Sequence, residues 1–250
     1  MNPLIIAHRG ESYDAPENTL VSINLAWERY ADAVEIDIHL TKDNRIVVIH
    51  DATTKRTGNI SKRIKKSTVE ELKKLDVGFW KDKKYSNEKI PTLDEVLKTV
   101  PHNKKLIIEI KSDIKTLPFL KNILSTSNLK ANQIEIISFN YSIVSSAKKM
   151  MPQYKVLYLA DLDYNWFSKI ISPSIKKLID KAKKANLDGL NVWAGNLLDQ
   201  QFIQKVKSEN LLLYVWTVNN INKAKILVSW GIDGITTDRA QWLKDKLRLK

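Results

Sequence analysis

The sequence predicts an eight-stranded parallel β/α barrel of the TIM type, and three observations lead to that fold class. Short apolar runs bounded by polar turns recur along the whole chain. Amphipathic stretches with helical spacing lie between most of them, an alternation that is typical of βαβ units in a parallel sheet. The length of 250 residues suits one such barrel. We therefore expect a single domain over residues 1–250.

The elements follow from the periodicity of each segment. Strands are predicted where a run is four to eight residues long and often apolar on both faces, as a buried parallel sheet requires. The predicted strands are 4–7, 33–40, 46–49, 106–110, 134–137, 155–159, 189–192, 211–215 and 232–235. The predicted helices between them include 19–30, 117–124, 141–150, 200–208 and 221–230.

Nine predicted strands are one more than the barrel needs, and the extra one is 46–49. Only residues 41–45 separate it from the strand before, which is too short for a crossover helix but suits a hairpin. The hairpin would bring His50 back toward the level of Asp37. Residues 52–105, with helices near 69–75 and 93–99, would then form an inserted cap segment beside the site.

Composition narrows the chemistry and the partners. The chain contains no cysteine, which excludes disulfides, thiolate metal sites and a cysteine nucleophile. The net charge is +13, and residues 52–105 carry 15 Lys and Arg against 7 Asp and Glu. Such an excess is usually a solvated surface, but it also suits an anionic substrate. No apolar run is long enough for a membrane span or a signal peptide, so we expect a cytoplasmic protein without membrane insertion, unless a signal has been removed.

Polar side chains follow the predicted strands repeatedly, and in such barrels functional residues lie at the carboxyl ends of the strands. Glu35 and Asp37 share one face of their strand, as Glu109 and Lys111 do on theirs. Charges directed into a barrel are costly unless they are paired or bind a metal. The three carboxylates could hold one hard divalent cation, Mg²⁺ or Ca²⁺. The alternative is a buried Glu109–Lys111 ion pair beside a solvated Glu35–Asp37 pair.

Two of the four histidines, His8 and His50, lie at matching strand ends, and imidazole is the natural proton carrier near neutral pH. His39 is in period with the acidic pair, and we expect it to support the site rather than to react. Asn18 precedes a predicted helix, where it would contribute to a polar cap and also brace the site.

Nine blocks of sequence resemble, in order and spacing, the signature of the glycerophosphodiester phosphodiesterases. The blocks are IAHRG (6–10), PENT (16–19), EID (35–37), LTKD (40–43), IHD (49–51), EIK (109–111), SFN (138–140), VWTVN (215–219) and GIDGITTD (231–238). They span essentially the whole chain. One departure is Arg239-Ala240, where family members often carry a proline or an aromatic residue, and this lies at the rim.

The resemblance implies a barrel of the phospholipase-C-like phosphodiesterase kind that hydrolyses glycerophosphodiesters to glycerol 3-phosphate and an alcohol. It implies that His8 and His50 are the general acid/base pair and that Glu35, Asp37 and Glu109 bind Mg²⁺ or Ca²⁺. It also implies that Arg9 and Lys111 contact the phosphate and that Phe139 and Trp216 border the glycerol of the substrate. Supporting roles are expected for Glu17, Asn18 and His39.

Two alternatives remain open at this stage. A phosphodiesterase on the same barrel that acts on lysophospholipids, as a lysophospholipase D does, would need an apolar rim, which aromatic residues could supply: Phe79, Trp80, Tyr85, Trp166 and Phe167. A non-catalytic barrel could bind nucleic acid or another anionic surface through the basic pairs 55–56, 62–63 and 65–66. The chain has no nucleic-acid recognition motif, so we expect no such partner. The leaving alcohol, the metal, the division of labour between the histidines and the oligomeric state stay open.

Overall fold

The computed structural model describes residues 2–165 and 170–249, and helices lie between most of its strands. The elements are β1 (Leu4–His8), α1 (Leu20–Glu28), β2 (Ala33–Leu40), β3 (Ile46–Val48), α2 (Val69–Lys73), α3 (Leu93–Leu97), β4 (Lys105–Ile110), α4 (Thr116–Thr126), β5 (Ile134–Ser138), α5 (Tyr141–Met150), β6 (Lys155–Ala160), β7 (Asp163–Asn165), β8 (Ile170–Ser172), α6 (Ile175–Lys184), β9 (Gly189–Trp193), α7 (Gln200–Ser208), β10 (Leu212–Trp216), α8 (Ile221–Ser229), β11 (Gly234–Thr237) and α9 (Ala240–Leu247). None of the helices in these ranges is long and apolar enough to cross a membrane.

Eight parallel strands close into a barrel in the order β1, β2, β4, β5, β6, β9, β10 and β11. Closure is made by β1, which pairs with β2 on one side and with β11 on the other. The short strand β3 pairs antiparallel with the end of β2, with Leu40 opposite Ile46. The predicted fold class and the hairpin outside the barrel are therefore confirmed.

Three predicted elements differ from the structure. The strand expected at 232–235 is Gly234–Thr237, because the backbone N–H of Ile232 bonds to Leu227 at the end of α8. Ile232 is thus a buried loop residue. The helices expected at 69–75 and 93–99 are only five residues each. The antiparallel pair β7–β8 was not predicted.

Alternation along β2 decides which side chains enter the barrel. Val34, Ile36 and Ile38 pack in the large core between the sheet and the helices. The intervening positions, beginning with Ala33, face the barrel interior, where a smaller apolar cluster lies. Glu35 and Asp37 belong to this inward series and are buried.

The segment between β3 and β4 has a small core of its own, formed by Val47, Ile49, Ile64, Leu72, Leu75, Val77 and Ile90. Both of its short helices begin with a capping box, in which a threonine and a glutamate satisfy each other's backbone N–H groups. The α3 helix also packs on the main core through Leu93 and Val96. The segment is therefore anchored to the barrel near the end of β3, where His50 lies.

Candidate active site

A cavity of about 310 Å³ opens at the carboxyl ends of the barrel strands. It is lined by eight of the residues selected from the sequence: His8, Arg9, Glu35, His50, Glu109, Lys111, Phe139 and Trp216. Asp37 lies beside them on β2, fully buried. The structure thus gathers residues from distant parts of the chain at one mouth of the barrel.

The three predicted metal ligands come together as expected. Glu35, Asp37 and Glu109 each offer an oxygen, and these oxygens all lie within 4.8 Å of one another. Asp37 and Glu109 are register partners on the neighbouring strands β2 and β4. Within the described residues, Glu35 Oε1 and Asp37 Oδ1 are buried without a hydrogen-bond partner. An all-oxygen set with unsatisfied buried atoms fits a hard cation such as Mg²⁺ or Ca²⁺.

Crowding of carboxylates shifts the acidity of this cluster. Burial and repulsion from Asp37 and Glu109 raise the pKa of Glu35 well above its ordinary value. Burial, together with the charge of Asp37, raises the pKa of Glu109 to about 7. Burial opposes ionisation of Asp37 too, but Arg9 and Lys111 outweigh it and lower the Asp37 pKa. A divalent cation between the oxygens would relieve the same repulsion.

Two cations flank the acidic cluster. Arg9 Nε lies 3.2 Å from Asp37 Oδ2, and Arg9 Nη1 donates to Glu17 Oε1 at 2.8 Å. Lys111 Nζ lies 2.9 Å from Glu109 Oε1. The Glu109–Lys111 pair considered from the sequence therefore forms. The solvated Glu35–Asp37 pair of that alternative is wrong, because these residues are only 4% and 0% exposed.

Each of the two site histidines is held by a carboxylate at the same ring nitrogen. His8 Nδ1 lies 2.7 Å from Asp238 Oδ1, and His50 Nδ1 lies 2.6 Å from Asp51 Oδ1. This arrangement fixes both rings through Nδ1. The Nε2 of His50 lies 3.1 Å from Lys111 Nζ, which lines the same cavity. Burial lowers the pKa of His50, and the charges of Arg9 and Lys111 lower it further. Both imidazoles therefore line the cavity, each held by a carboxylate.

Two of the residues predicted to support the site, Asn18 and His39, form hydrogen bonds to Asp37 and to the backbone of His50. Asn18 donates from Nδ2 to Asp37 Oδ2 at 2.8 Å and accepts the Asp37 backbone N–H at 3.1 Å. His39 Nε2 lies 3.0 Å from the backbone oxygen of His50. The N-cap of α1 is Thr19, so the side chain of Asn18 is available to bind Asp37 on β2.

Arg56, from the segment between β3 and β4, binds two acids of the site. Its guanidinium donates to Glu17 Oε2 at 2.7 Å and Oε1 at 2.8 Å, and to Asp51 Oδ2 at 2.8 Å. Glu17 in turn holds Arg9, and Asp51 holds His50. The sequence predicts no role for Asp51 or Asp238, and it places Arg56 only in a basic pair that could bind nucleic acid. The acids were visible as polar residues at strand ends, whereas nothing in the sequence signalled the long reach of Arg56.

An aromatic wall closes one side of the cavity. The rings of Phe139 and Trp216 meet edge to face, with centroids 5.5 Å apart. Asn191, on β9, lines the same cavity and was not selected from the sequence. Of the aromatic residues considered for a lipid rim, Phe79 and Trp80 are 60% and 41% exposed, whereas Tyr85 donates its hydroxyl to Asp14 O at 2.8 Å. Trp166 and Phe167 lie outside the described residues.

Comparison with known proteins gives concordant matches. The model of the glycerophosphoryl diester phosphodiesterase family matches residues 8–241. A glycerophosphodiester phosphodiesterase from Caldanaerobacter subterraneus subsp. tengcongensis is 34% identical over 254 residues, covering 99% of each chain.

Solved structures agree with this match. A phosphodiesterase from Oleispira antarctica, in complex with its product sn-glycerol 3-phosphate, superposes with a TM-score of 0.87 at 28% identity, covering 99% of this chain and 97% of that one. A glycerophosphodiester phosphodiesterase from Thermotoga maritima gives a TM-score of 0.80 at 26% identity, covering 100% and 99% of the two chains.

Proposed function

The chain belongs to the glycerophosphoryl diester phosphodiesterase family and is a phosphoric diester hydrolase; from this premise we propose that it hydrolyses glycerophosphodiesters to sn-glycerol 3-phosphate and an alcohol with the help of one divalent cation, Mg²⁺ or Ca²⁺. One observation carries the proposal: three carboxylate oxygens lie within 4.8 Å of one another at a cavity that also holds two carboxylate-anchored imidazoles. The product bound to the Oleispira antarctica phosphodiesterase supports glycerol phosphate as the product.

In this proposal Glu35, Asp37 and Glu109 would hold the cation, which would supply positive charge beside the phosphodiester. Arg9 and Lys111, which line the same cavity, contact the other phosphate oxygens. The positions of these two cations are fixed by Glu17 and Glu109, so little reorganisation is needed as negative charge develops on the phosphate oxygens.

His8 and His50 carry the protons. One imidazole accepts the proton of the attacking hydroxyl as the new phosphorus–oxygen bond forms, and the other donates a proton as the bond to the alcohol breaks. The attacker is water, or the glycerol 2-hydroxyl followed by water. Both routes consume one water and give the same two products. Asp238 and Asp51 hold both rings through Nδ1, so that Nε2 does the exchange.

Phe139 and Trp216 would border the glycerol. Their edge-to-face pair forms an apolar wall next to Lys111, whose Nζ lies 5.9 Å from the Phe139 ring centre. The carbon face of glycerol can pack on this wall while its phosphate meets the cations.

A coupled assay for released glycerol 3-phosphate, run on glycerophosphocholine, -ethanolamine, -glycerol and -inositol with and without EDTA, tests the proposal. We expect metal-dependent turnover that falls by about 2–4 orders of magnitude in His8→Ala or His50→Ala. His102→Ala, which changes an exposed loop histidine, is the matched control and should keep the native rate. Native turnover in the double variant of His8 and His50 would contradict the assignment.

A lysophospholipid is the second candidate substrate, favoured by the exposed rings of Phe79 and Trp80. Cleavage of lysophosphatidylcholine at a rate equal to that of glycerophosphocholine, and its selective loss in a Phe79→Ser, Trp80→Ser double variant, would support this second function.

A further inference from the structure

A second, larger cavity of about 760 Å³ opens beside the candidate active site, and we propose that it binds a second phosphate group carried by the substrate. We call it the basic groove. It lies between the β2–β3 turn, residues 63–65 of the inserted segment and the loop that follows β4. The proposal rests on the proposed function and narrows it to glycerophosphodiesters whose leaving alcohol is itself phosphorylated.

The basic groove adjoins the catalytic cavity through one residue. Lys111 lines both, and its Nζ lies 2.9 Å from Glu109 and 3.1 Å from His50 Nε2. His39, which holds the backbone oxygen of His50, also lines the groove. A substrate whose scissile phosphate meets Lys111 can therefore extend from the catalytic cavity into the groove.

The charge of the basic groove is strongly unbalanced. Its cations are Lys42, Arg63, Lys65, Lys111 and Lys115, against the single acid Asp113. In the part of the chain that the structure describes, Lys42, Arg63, Lys65 and Lys115 form no ion pair with an acid. Exposed lysines scattered over helices are ordinarily solvated, but several unpaired cations around one concavity create a potential that attracts an anion.

The lining favours a phosphorylated polyol over other anions. No tryptophan, tyrosine or phenylalanine is among the described residues that line the groove, so a nucleobase would find no stacking surface. The apolar residues among the described lining are Leu40, Ala52 and Ile64. Hydroxyl and ammonium groups are plentiful, as recognition of a sugar phosphate requires.

The test compares two glycerophosphoinositols that differ by one phosphate monoester on the inositol ring. Released glycerol 3-phosphate gives kcat/KM for each substrate. The groove variant is Lys42→Glu, Arg63→Glu, Lys65→Glu, which spares Lys111. The control variant, Lys121→Glu, Lys149→Glu, Lys184→Glu, makes the same change in net charge on exposed positions of α4, α5 and α6. Thermal unfolding of all three proteins verifies that they fold.

We expect the wild type to prefer the phosphorylated diester. The ratio of the two kcat/KM values should fall at least about tenfold in the groove variant, which corresponds to roughly 1.4 kcal/mol, because three cations near the second phosphate are replaced by anions. Added NaCl should reduce the ratio as well. The control variant should keep the wild-type ratio.

Three results would overturn the proposal. The first is an equal ratio in the wild type and the groove variant, and the second is an equal fall in the control variant. The third is a wild type that binds phosphatidylglycerol vesicles and a groove variant that no longer binds them but keeps the wild-type ratio of kcat/KM values. The groove would then be a membrane contact. Failure of the wild type to hydrolyse either diester would instead refute the proposed function.

Discussion

Replacing Glu35 by glutamine should have opposite effects on stability with and without a metal. Glu35 is 4% exposed, and its carboxylate lies within 4.8 Å of the oxygens of Asp37 and Glu109. Glutamine keeps the size and an oxygen that can accept the Arg9 backbone N–H, which Glu35 Oε2 now accepts at 3.1 Å. It removes the charge, which repels the other two acids and attracts Arg9.

The size of the effect follows from the separation. Two unit charges 4.8 Å apart repel by about 3.5 kcal/mol at an effective dielectric constant of ~20. The raised pKa of Glu35 shows that protonation already relieves part of this repulsion. Without metal, Glu35→Gln should therefore unfold at a Tm equal to or above that of the wild type, and the gain should increase as the pH is raised.

With metal the order should reverse. At a free cation concentration of about 100 times Kd, binding to the native state contributes roughly 2.7 kcal/mol, which is a rise of about 5–11 °C in Tm for a chain of this size. The variant should lose most of that rise, because one of three ligands is no longer an anion.

The assay is differential scanning fluorimetry in EDTA, MgCl₂ and CaCl₂. Glu11→Gln is the matched control, since Glu11 is also a buried acid (1% exposed) but lies outside the cluster. It should keep the full metal-dependent rise. A Glu35→Gln protein that is less stable than the wild type in EDTA and still gains the full rise would refute the reasoning.

Three further predictions follow from the contacts around the histidines. Asp238→Asn should lower kcat by about 10–100-fold with little change in KM. The substitution removes the charge-assisted hydrogen bond to His8 at 2.7 Å, which contributes roughly 1.5–3 kcal/mol. Steady-state kinetics at a fixed metal concentration measures both constants. Arg56→Ala should lower kcat/KM about tenfold, because Arg56 bridges Glu17 and Asp51. The control Arg45→Ala changes an exposed arginine and should have no effect. If Arg56→Lys does not recover part of the loss, Arg56 does not act as this bridge. The third concerns Asp51, whose pKa is lowered to about 2: burial opposes this, but the hydrogen bonds from Arg56 and His50 outweigh it. A lowered pKa gives stability that is present above the ordinary value of 3.8 and lost as the pH falls toward 2, so urea unfolding of Asp51→Asn should show a weaker decline across that window than the wild type does.

The fold class could be predicted because strand spacing and apolar runs are local properties. The eight strands of the barrel were all found near their observed positions, and the five-residue turn correctly excluded Ile46–Val48 from the barrel. The predicted ends of the strands were less accurate, and Ile232 is an example, since it was placed in a strand that begins at Gly234. Its side chain is apolar and buried as in a strand, but its backbone hydrogen bond belongs to the loop after α8.

The acidic cluster could be predicted because strand periodicity fixes side-chain direction. Glu35 and Asp37 are two residues apart, so both point inward once the strand is placed, and Glu109 meets them because β2 and β4 are neighbours. The binding and catalytic roles given to these residues remain predictions.

The partners of the histidines could not be assigned from the sequence. Asp238 meets His8 across 230 positions, and only closure of the barrel between β11 and β1 brings the two strands together. Arg56 reaches Glu17 across 39 positions through a flexible side chain, whose direction no periodicity determines. Contacts of this kind depend on tertiary structure alone.

A crystal soaked in Mn²⁺, which can replace Mg²⁺ at oxygen sites and gives a strong anomalous signal, would test the metal centre most directly. We expect one anomalous peak bounded by carboxylate oxygens of Glu35, Asp37 and Glu109, at about 2.0–2.6 Å from each. A peak at any other place would contradict the account. So would the absence of a peak at these three side chains if the same protein shows metal-dependent activity in solution.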